Sequence, residues 1–337
     1  MRLVGIGLAR RLCVIIVLCV ICVCSVIVGI GIGTVEFSPS EILRALFVRD
    51  DSAARLLIWN LRLPRVLTGG LVGVCLSLAG CILQGVMRNT LASPSTVGVT
   101  SGAGFVGYLM LVAFPTYAYL LPIGSIIGAF ATTMLIYALA YQKGVSPVKM
   151  ILAGLAVSAL LGAFNDMIKT VFADALGNAS GFLVGGLNGV GWASFRMLLP
   201  CALAGMIICF FLPAKMNILM LGDESANSLG LRTERFRFFL IAVSSLLAGA
   251  AISAAGLISF VGLIVPHIAR IMVGSDHKYL FPTSALLGFS LVTICDTVGR
   301  VIMPPGEVPV SIILSLIGAP FFVWLLRSRE VRAQGGD

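Results

Sequence analysis

Charge is scarce in this sequence. Asp and Glu number 14 and His two in 337 residues, and charged residues make up 11% of the chain. A soluble domain carries roughly a quarter of its residues charged, so an ordinary water-soluble fold is excluded. Catalytic signatures are missing as well. The chain holds no G-x-x-x-x-G-K-[ST] phosphate loop, no H-E-x-x-H and no G-x-S-x-G, so neither ATP hydrolysis nor intramembrane hydrolysis is expected of it. No catalytic residue, bound cofactor or metal ligand is assigned. Nine cysteines are present, but Cys13, Cys19, Cys22, Cys24, Cys75, Cys81, Cys201, Cys209 and Cys295 all lie in apolar runs. Small polarisable side chains pack well there, and no disulfide is expected. The net charge of +9 is scattered among loops rather than gathered in a stripe, so nucleic acid is not a partner.

What is abundant is hydrocarbon, at 59% of residues. Spans of ~20 residues with short connections read as an all-α polytopic membrane protein with about ten transmembrane helices. They are expected over residues 12–33, 66–87, 98–114, 119–140, 149–172, 193–213, 238–255, 257–273, 282–302 and 308–326, forming one transmembrane domain over 1–337. The apolar run from Phe238 to Val273 would reach about 54 Å as one helix, far beyond a ~30 Å hydrocarbon core. It must fold back near Ala255-Gly256. Ahead of the first span, Arg10 and Arg11 precede a run too long for a signal peptide.

Ten spans put both termini on one side, and most Lys and Arg fall on that side, which is therefore expected to be cytoplasmic. The exceptions concentrate in the first outer loop, at Arg44, Arg49, Arg55, Arg62 and Arg65. Glu36, Glu41, Asp50 and Asp51 offset part of that charge, and Ser38-Pro39-Ser40-Glu41 reads as a helix start. Arg62 and Arg65 have no acidic neighbour in sequence. Arg300, in Asp296-Thr297-Val298-Gly299-Arg300, also falls outside. Snorkelling at the interface is one reading of these arginines; an acidic partner outside is the other.

One stretch breaks the hydrocarbon. Between Ala214 and Arg237, the charges Lys215, Asp223, Glu224, Arg232, Glu234, Arg235 and Arg237 alternate with Leu219, Met220, Ala226, Leu229 and Leu231 at helical spacing. Gly222 and Gly230 supply breaks. The pattern reads as two short amphipathic helices on the cytoplasmic side. A solvated linker needs no apolar face, so this segment is expected to dock into a soluble partner.

A repeat is also present. At a constant offset, Gly73 matches Gly249, Ser77 matches Ser253, Ala79 matches Ala255, Gly80 matches Gly256 and Ile82 matches Ile258. The first of these helices runs inward and the second outward, so helices 2–5 and 7–10 form inverted repeats, as in many transporters. A gradient-driven secondary transporter fits the repeat as well as an ATP-driven one.

Leu221-Gly222-Asp223-Glu224-Ser225-Ala226-Asn227-Ser228-Leu229-Gly230-Leu231 resembles the coupling segment of permeases in the iron-siderophore, haem and vitamin B12 class of ABC importers. Gly256 to Arg270, GLISFVGLIVPHIAR, resembles the same family's helix 8, and Leu61-Arg62-Leu63-Pro64-Arg65 its LRLPR motif. The resemblance covers nearly the whole chain in family order. It implies a BtuC-like type II importer fold of the FecCD type, in a bacterial cytoplasmic (inner) membrane. Its implied partners are a second permease subunit, two ATPase subunits that carry ATP and Mg, and a periplasmic or lipid-anchored substrate-binding protein.

By the same resemblance, Leu221, Gly222, Asp223, Glu224, Ala226, Leu229 and Gly230 couple to the ATPase. Arg62, Arg65 and Arg300 receive acidic residues of the binding protein, and Asn89 and Leu91 stand at the inner gate. Thr90 replaces the family's proline there, and a plain helix-end turn is the alternative. Ser146 to Met150 is the opposing gate element. Phe182 stands where the family has tryptophan, and Gly185 to Trp192 reads as an outer turn rather than a phosphate loop. His267 is read as structural, Asp276 as a partner of Arg270 or Lys278, and Asp166 with Lys169 as a neutralising pair. The implied cargo is a ferric siderophore, haem or cobalamin.

Overall fold

A computed structural model describes residues 7–33, 35, 37–48, 52–141, 146–172, 181–304 and 306–327. The expectations for Glu36, Arg49, Asp50 and Asp51 lie outside the described residues.

The fold is all-helical. Helix α1 is Leu8–Gly31. Two short helices follow, α2 at Pro39–Phe47 and α3 at Ala53–Leu57. Ser38 and Glu41 close a reciprocal capping box on α2, which satisfies two backbone donors at once. A π-turn at Ile58–Arg62 leads into α4, Leu63–Met87. Then come α5 at Val99–Ala113, α6 at Leu121–Ala140, α7 at Pro147–Val171 and α8 at Trp192–Phe211. The polar segment holds α9, Pro213–Leu219, and α10, Asp223–Ser228. The chain continues with α11 at Thr233–Ala255, α12 at Val261–Val273, α13 at His277–Val301 and α14 at Val310–Arg327. Seven of these helices are long and apolar enough to cross a membrane, and α5, α12 and α14 are shorter apolar helices.

Three expected boundaries are corrected. The seventh span starts at Thr233 rather than 238, because Arg237, the charge that suggested a loop, is neutralised inside the helix by Asp223 and Glu234. The ninth starts at His277 rather than at Pro282, because Asp276 caps it, its side chain accepting from Lys278 N–H. The eighth starts at Val261 rather than 257. Residues 257–260 are not helical, and Phe260 sits at φ 67°.

The two halves match in order. Helices α4 to α7 hold 25, 15, 20 and 25 residues, and α11 to α14 hold 23, 13, 25 and 18. In each half the second helix is the short one and follows a non-helical segment.

Helix α4 is the axis of the bundle. It is apolar all round and almost wholly buried, as a helix enclosed by others must be. Hydrocarbon offers no hydrophobic drive between helices, so close approach through small residues does the packing. A Cβ on Gly73 would lie 2.0 Å from the carbonyl oxygen of Gly288 in α13, and one on Gly80 would lie 1.8 Å from that of Gly262 in α12. At the fold-back, Gly256 (φ 69°) lets α11 end against residue 182, where Phe182 C=O accepts from Leu257 N–H at 3.0 Å.

Candidate functional site

The polar segment is a folded knob rather than a linker. Gly222 (φ 104°) and Gly230 (φ 82°) bracket α10. Both take a left-handed backbone that any side chain would strain. Ala226 faces inward, fully buried, and its C=O accepts from Leu231 N–H at 3.0 Å. Asp223 fastens the knob to the bundle: Arg88, at the end of α4, donates to Oδ1 at 2.7 Å, and Arg237 of α11 donates to Oδ2 at 2.9 Å. Arg237 is itself buried and pairs also with Glu234 at 3.2 Å. Hydrogen bonding from Arg237, with Arg88 as a further cation, holds the Asp223 carboxyl below its ordinary range.

With the knob pinned, its outer face is fixed. Leu221 is 62% exposed and Leu229 61%, with Glu224 exposed beside them. The predicted coupling residues thus divide by position. Leu221, Glu224 and Leu229 present a surface, Gly222 and Gly230 shape it, and Asp223 and Ala226 hold it.

Arg62, Arg65 and Arg300 converge. Arg62, turned inward by the π-turn, is 9% exposed and donates to the carbonyls of Ile30 (2.7 Å), Gly31 (3.1 Å) and Val35, with its guanidinium 4.7 Å over the ring of Phe37. Arg300 donates to Gly29 C=O at 2.7 Å and ion-pairs with Asp296 one turn away. Arg65 pairs with Asp296 at 2.9 Å and Glu307 at 2.8 Å. Asp296 therefore serves two arginines. Glu307, which sequence reasoning overlooked, takes the outermost donor of Arg65; only its place beside the outer end of α14 hinted at a role.

A cavity of about 360 Å³ opens beside Arg65 and Glu307, lined also by Phe182, Asn188, Ser253 and Gly256. The Gly-rich outer turn thereby joins the fold-back of α11 and α12.

At the opposite end, Asn89 Oδ1 accepts from Leu91 N–H at 2.9 Å, and Asn89 N–H donates to Gln84 C=O. This is a compact turn off α4, with Asn89 and Leu91 half-buried. It leads to Val97, against which α7 packs: a Cβ on Gly154 would lie 2.9 Å from the Val97 backbone. Val97 and Gly154 lie just beyond the two expected gate elements, Asn89 with Leu91 and Ser146 to Met150, and it is there that the turn after α4 and helix α7 approach each other.

Asp276 is not the partner of Arg270. Arg270 donates to Gln84 Oε1 at 3.1 Å, whereas Asp276 faces Arg11 at 3.8 Å and accepts from Asn217 Nδ2 at 2.8 Å. Its place as the cap of α13 turns it toward α1 and α9. His267 is buried, 6.2 Å from the ring of Phe321. Asp166 and Lys169 form the i,i+3 pair at 2.9 Å.

Comparison with known proteins matches residues 18–328 to the FecCD transport family. The chain is 38% identical to the Fe(3+)-citrate import system permease protein YfmE of Bacillus subtilis, over 96% of this chain and 97% of that protein. It is 40% identical to the cobalamin import system permease protein BtuC of Halobacterium salinarum, over 83% of this chain and 76% of that protein. In structure it is similar to a metal-chelate type ABC transporter in an inward-facing conformation, with a TM-score of 0.83 and 30% identity over 93% of this chain and 98% of that one.

Proposed function

Because the chain belongs to the FecCD transport family, a family of membrane permeases, we propose that it is the permease subunit of an importer driven by partner ATPases, carrying a ferric chelate inward. A ferric siderophore or ferric citrate is the favoured cargo, supported by the 38% identity to the ferric citrate permease across nearly both chains. Haem and cobalamin are the other cargoes of this class. ATP and Mg act on the ATPase subunits, and this chain supplies no catalytic group.

The observation that carries the reading is the pinned knob. A gradient-driven carrier has no use for Leu221 and Leu229 held out at the two ends of a short helix fastened by Asp223, Arg88 and Arg237. Two exposed leucines beside Glu224 suit a groove on a soluble subunit. At the opposite end, Arg65, whose pair with Glu307 is part-exposed while Arg62 and Arg300 are buried, suits an acidic residue of a substrate-binding protein, and a two-lobed binding protein suits two copies of this chain or a pair with a similar one.

Proteoliposomes holding this chain with its ATPase test the reading. Leu221→Asp with Leu229→Asp is expected to abolish assembly with the ATPase or substrate-stimulated hydrolysis. Transport of a ferric chelate by this chain alone, with no ATPase, overturns it in favour of a gradient-driven carrier.

A further inference from the structure

One further cavity belongs to neither site. It is a crevice of about 790 Å³ between α8 and α13, closed at one end by α9. The two walls are membrane-crossing helices that barely touch each other, and Leu78 of α4 forms the floor. Phe210, Phe281 and Ala285 make the sides apolar. Phe210 is 77% exposed, so the crevice opens on the outer surface of the bundle, where the solvent is lipid.

Its ends differ chemically. From Lys278 to Leu286, α13 rises about 12 Å at 1.5 Å per residue, close to one leaflet of a ~30 Å core. The closed end, beside the knob, is polar. Asp276, the one acid in the lining, is already engaged by Arg11, Asn217 Nδ2 and Lys278 N–H. Lys278 is exposed, forms no ion pair among the described residues, and sits at the positive end of a 25-residue helix. His277, which also lines the crevice, donates from Nδ1 to Asn217 Oδ1 at 2.7 Å, and its buried Nε2 has no hydrogen-bond partner among the described residues.

An apolar slot one leaflet deep, capped at the membrane boundary by a cation that lies over the Tyr279 ring and that no carboxylate pairs with among the described residues, has the polarity of a phospholipid. We propose that the crevice binds one phospholipid with an anionic headgroup, an acyl chain lying along Leu78, Phe210, Phe281 and Ala285 and the phosphate at Lys278. The inference requires only that α8 and α13 cross the membrane, so it stands apart from the cargo and the energy source. Its position gives it a consequence: Asn217, which ties α9 to α13 through Asp276 and His277, lies in the same wall, so the lipid would brace the knob against the bundle.

Delipidated full-length protein titrated with dioleoyl phosphatidylglycerol or dioleoyl phosphatidylcholine, followed by native mass spectrometry, tests this. One phosphatidylglycerol per chain is expected to bind tightly, with phosphatidylcholine about fivefold weaker, the worth of one basic residue at a membrane surface. Lys278→Gln, at an exposed position that folding tolerates, is expected to erase that preference. Ala285→Trp is expected to exclude both lipids by filling the slot. The proposal is overturned if Lys278→Gln leaves the preference intact, or if a folded Ala285→Trp protein binds as much phosphatidylglycerol as the parent. Crosslinking of Phe210→Cys to a second copy in lipid bilayers, in a background with the native cysteines replaced by serine or alanine, also overturns it, by showing the crevice covered by protein. Should Ala285→Trp fail to fold, Lys278→Gln decides.

Discussion

Arg65 of α4 lies 2.9 Å from Asp296 of α13, an ion pair across 231 residues of sequence. It ties the first helix of the first half to the third helix of the second, and Asp296 at the same time pairs with Arg300. All three side chains are largely withdrawn from water. Removing one partner of a buried pair leaves an uncompensated charge, which costs about 3–5 kcal/mol. Asp296→Asn is therefore expected to lower the thermal transition of the purified protein markedly, whereas replacing the exposed acid Asp166 by Asn should leave it nearly unchanged. Scanning fluorimetry in detergent checks both.

Glu307 makes a different prediction. It takes Arg65 Nη1 at 2.8 Å and is the most exposed member of the cluster, at 28%. If acidic residues of a binding protein dock on Arg65, they must compete with it. Glu307→Gln is expected to change stability by less than about 1 kcal/mol and to tighten docking by roughly twofold to fivefold, while Arg65→Ala weakens it. Surface-captured permease titrated with its binding protein reads both directions. Weaker docking for Glu307→Gln would mean that the carboxylate orients Arg65 rather than masking it.

Several parts of this arrangement were legible in the sequence. The knob announced itself as charge within hydrocarbon, its two glycines marking the breaks. The pair of Asp296 and Arg300 was not foreseen, although their i,i+4 spacing on a helix allows it. Contacts that depend on how helices cross were not legible: Arg65 with Asp296, Arg88 with Asp223, and Gln84 with Arg270 join residues 135 to 231 positions apart. Helix starts were misplaced for a related reason. Arg237 reads as a loop residue until Asp223 is folded against it, and Pro282 reads as a helix start until Asp276 is seen to cap the helix one turn earlier.

Glycine crossings on α4 give a graded test of the packing. A methyl group on Gly73 would meet the Gly288 carbonyl at 2.0 Å, and backbone cannot give way as a flexible side chain can. Gly73→Ala is expected to push α13 off α4 at a cost of 1–3 kcal/mol or more. Gly162 of α7 has nothing within 4 Å of a built Cβ, so Gly162→Ala should be neutral or gain up to about 1 kcal/mol in helix propensity. Yield of monodisperse protein and its thermal transition rank the two.

Acid should loosen the knob before the bundle. Asp223 is held below the ordinary carboxylate range by the hydrogen bond from Arg237 and the nearby charge of Arg88. A depressed folded-state value means the unfolded segment binds its proton first. The stabilisation is therefore fully present above the ordinary value of about 3.8 and is lost as pH falls from there through the folded value. Between pH 8 and 5, hydrogen exchange of residues 221–231, corrected for its intrinsic pH dependence, is expected to be flat. Below about pH 4 protection should fall there while α4 keeps its own. Asp223→Asn should remove that acid-dependent step and lower protection at neutral pH. If protection in the parent instead falls between pH 7 and 5, some other group fastens the knob, and Asp223 is not its anchor.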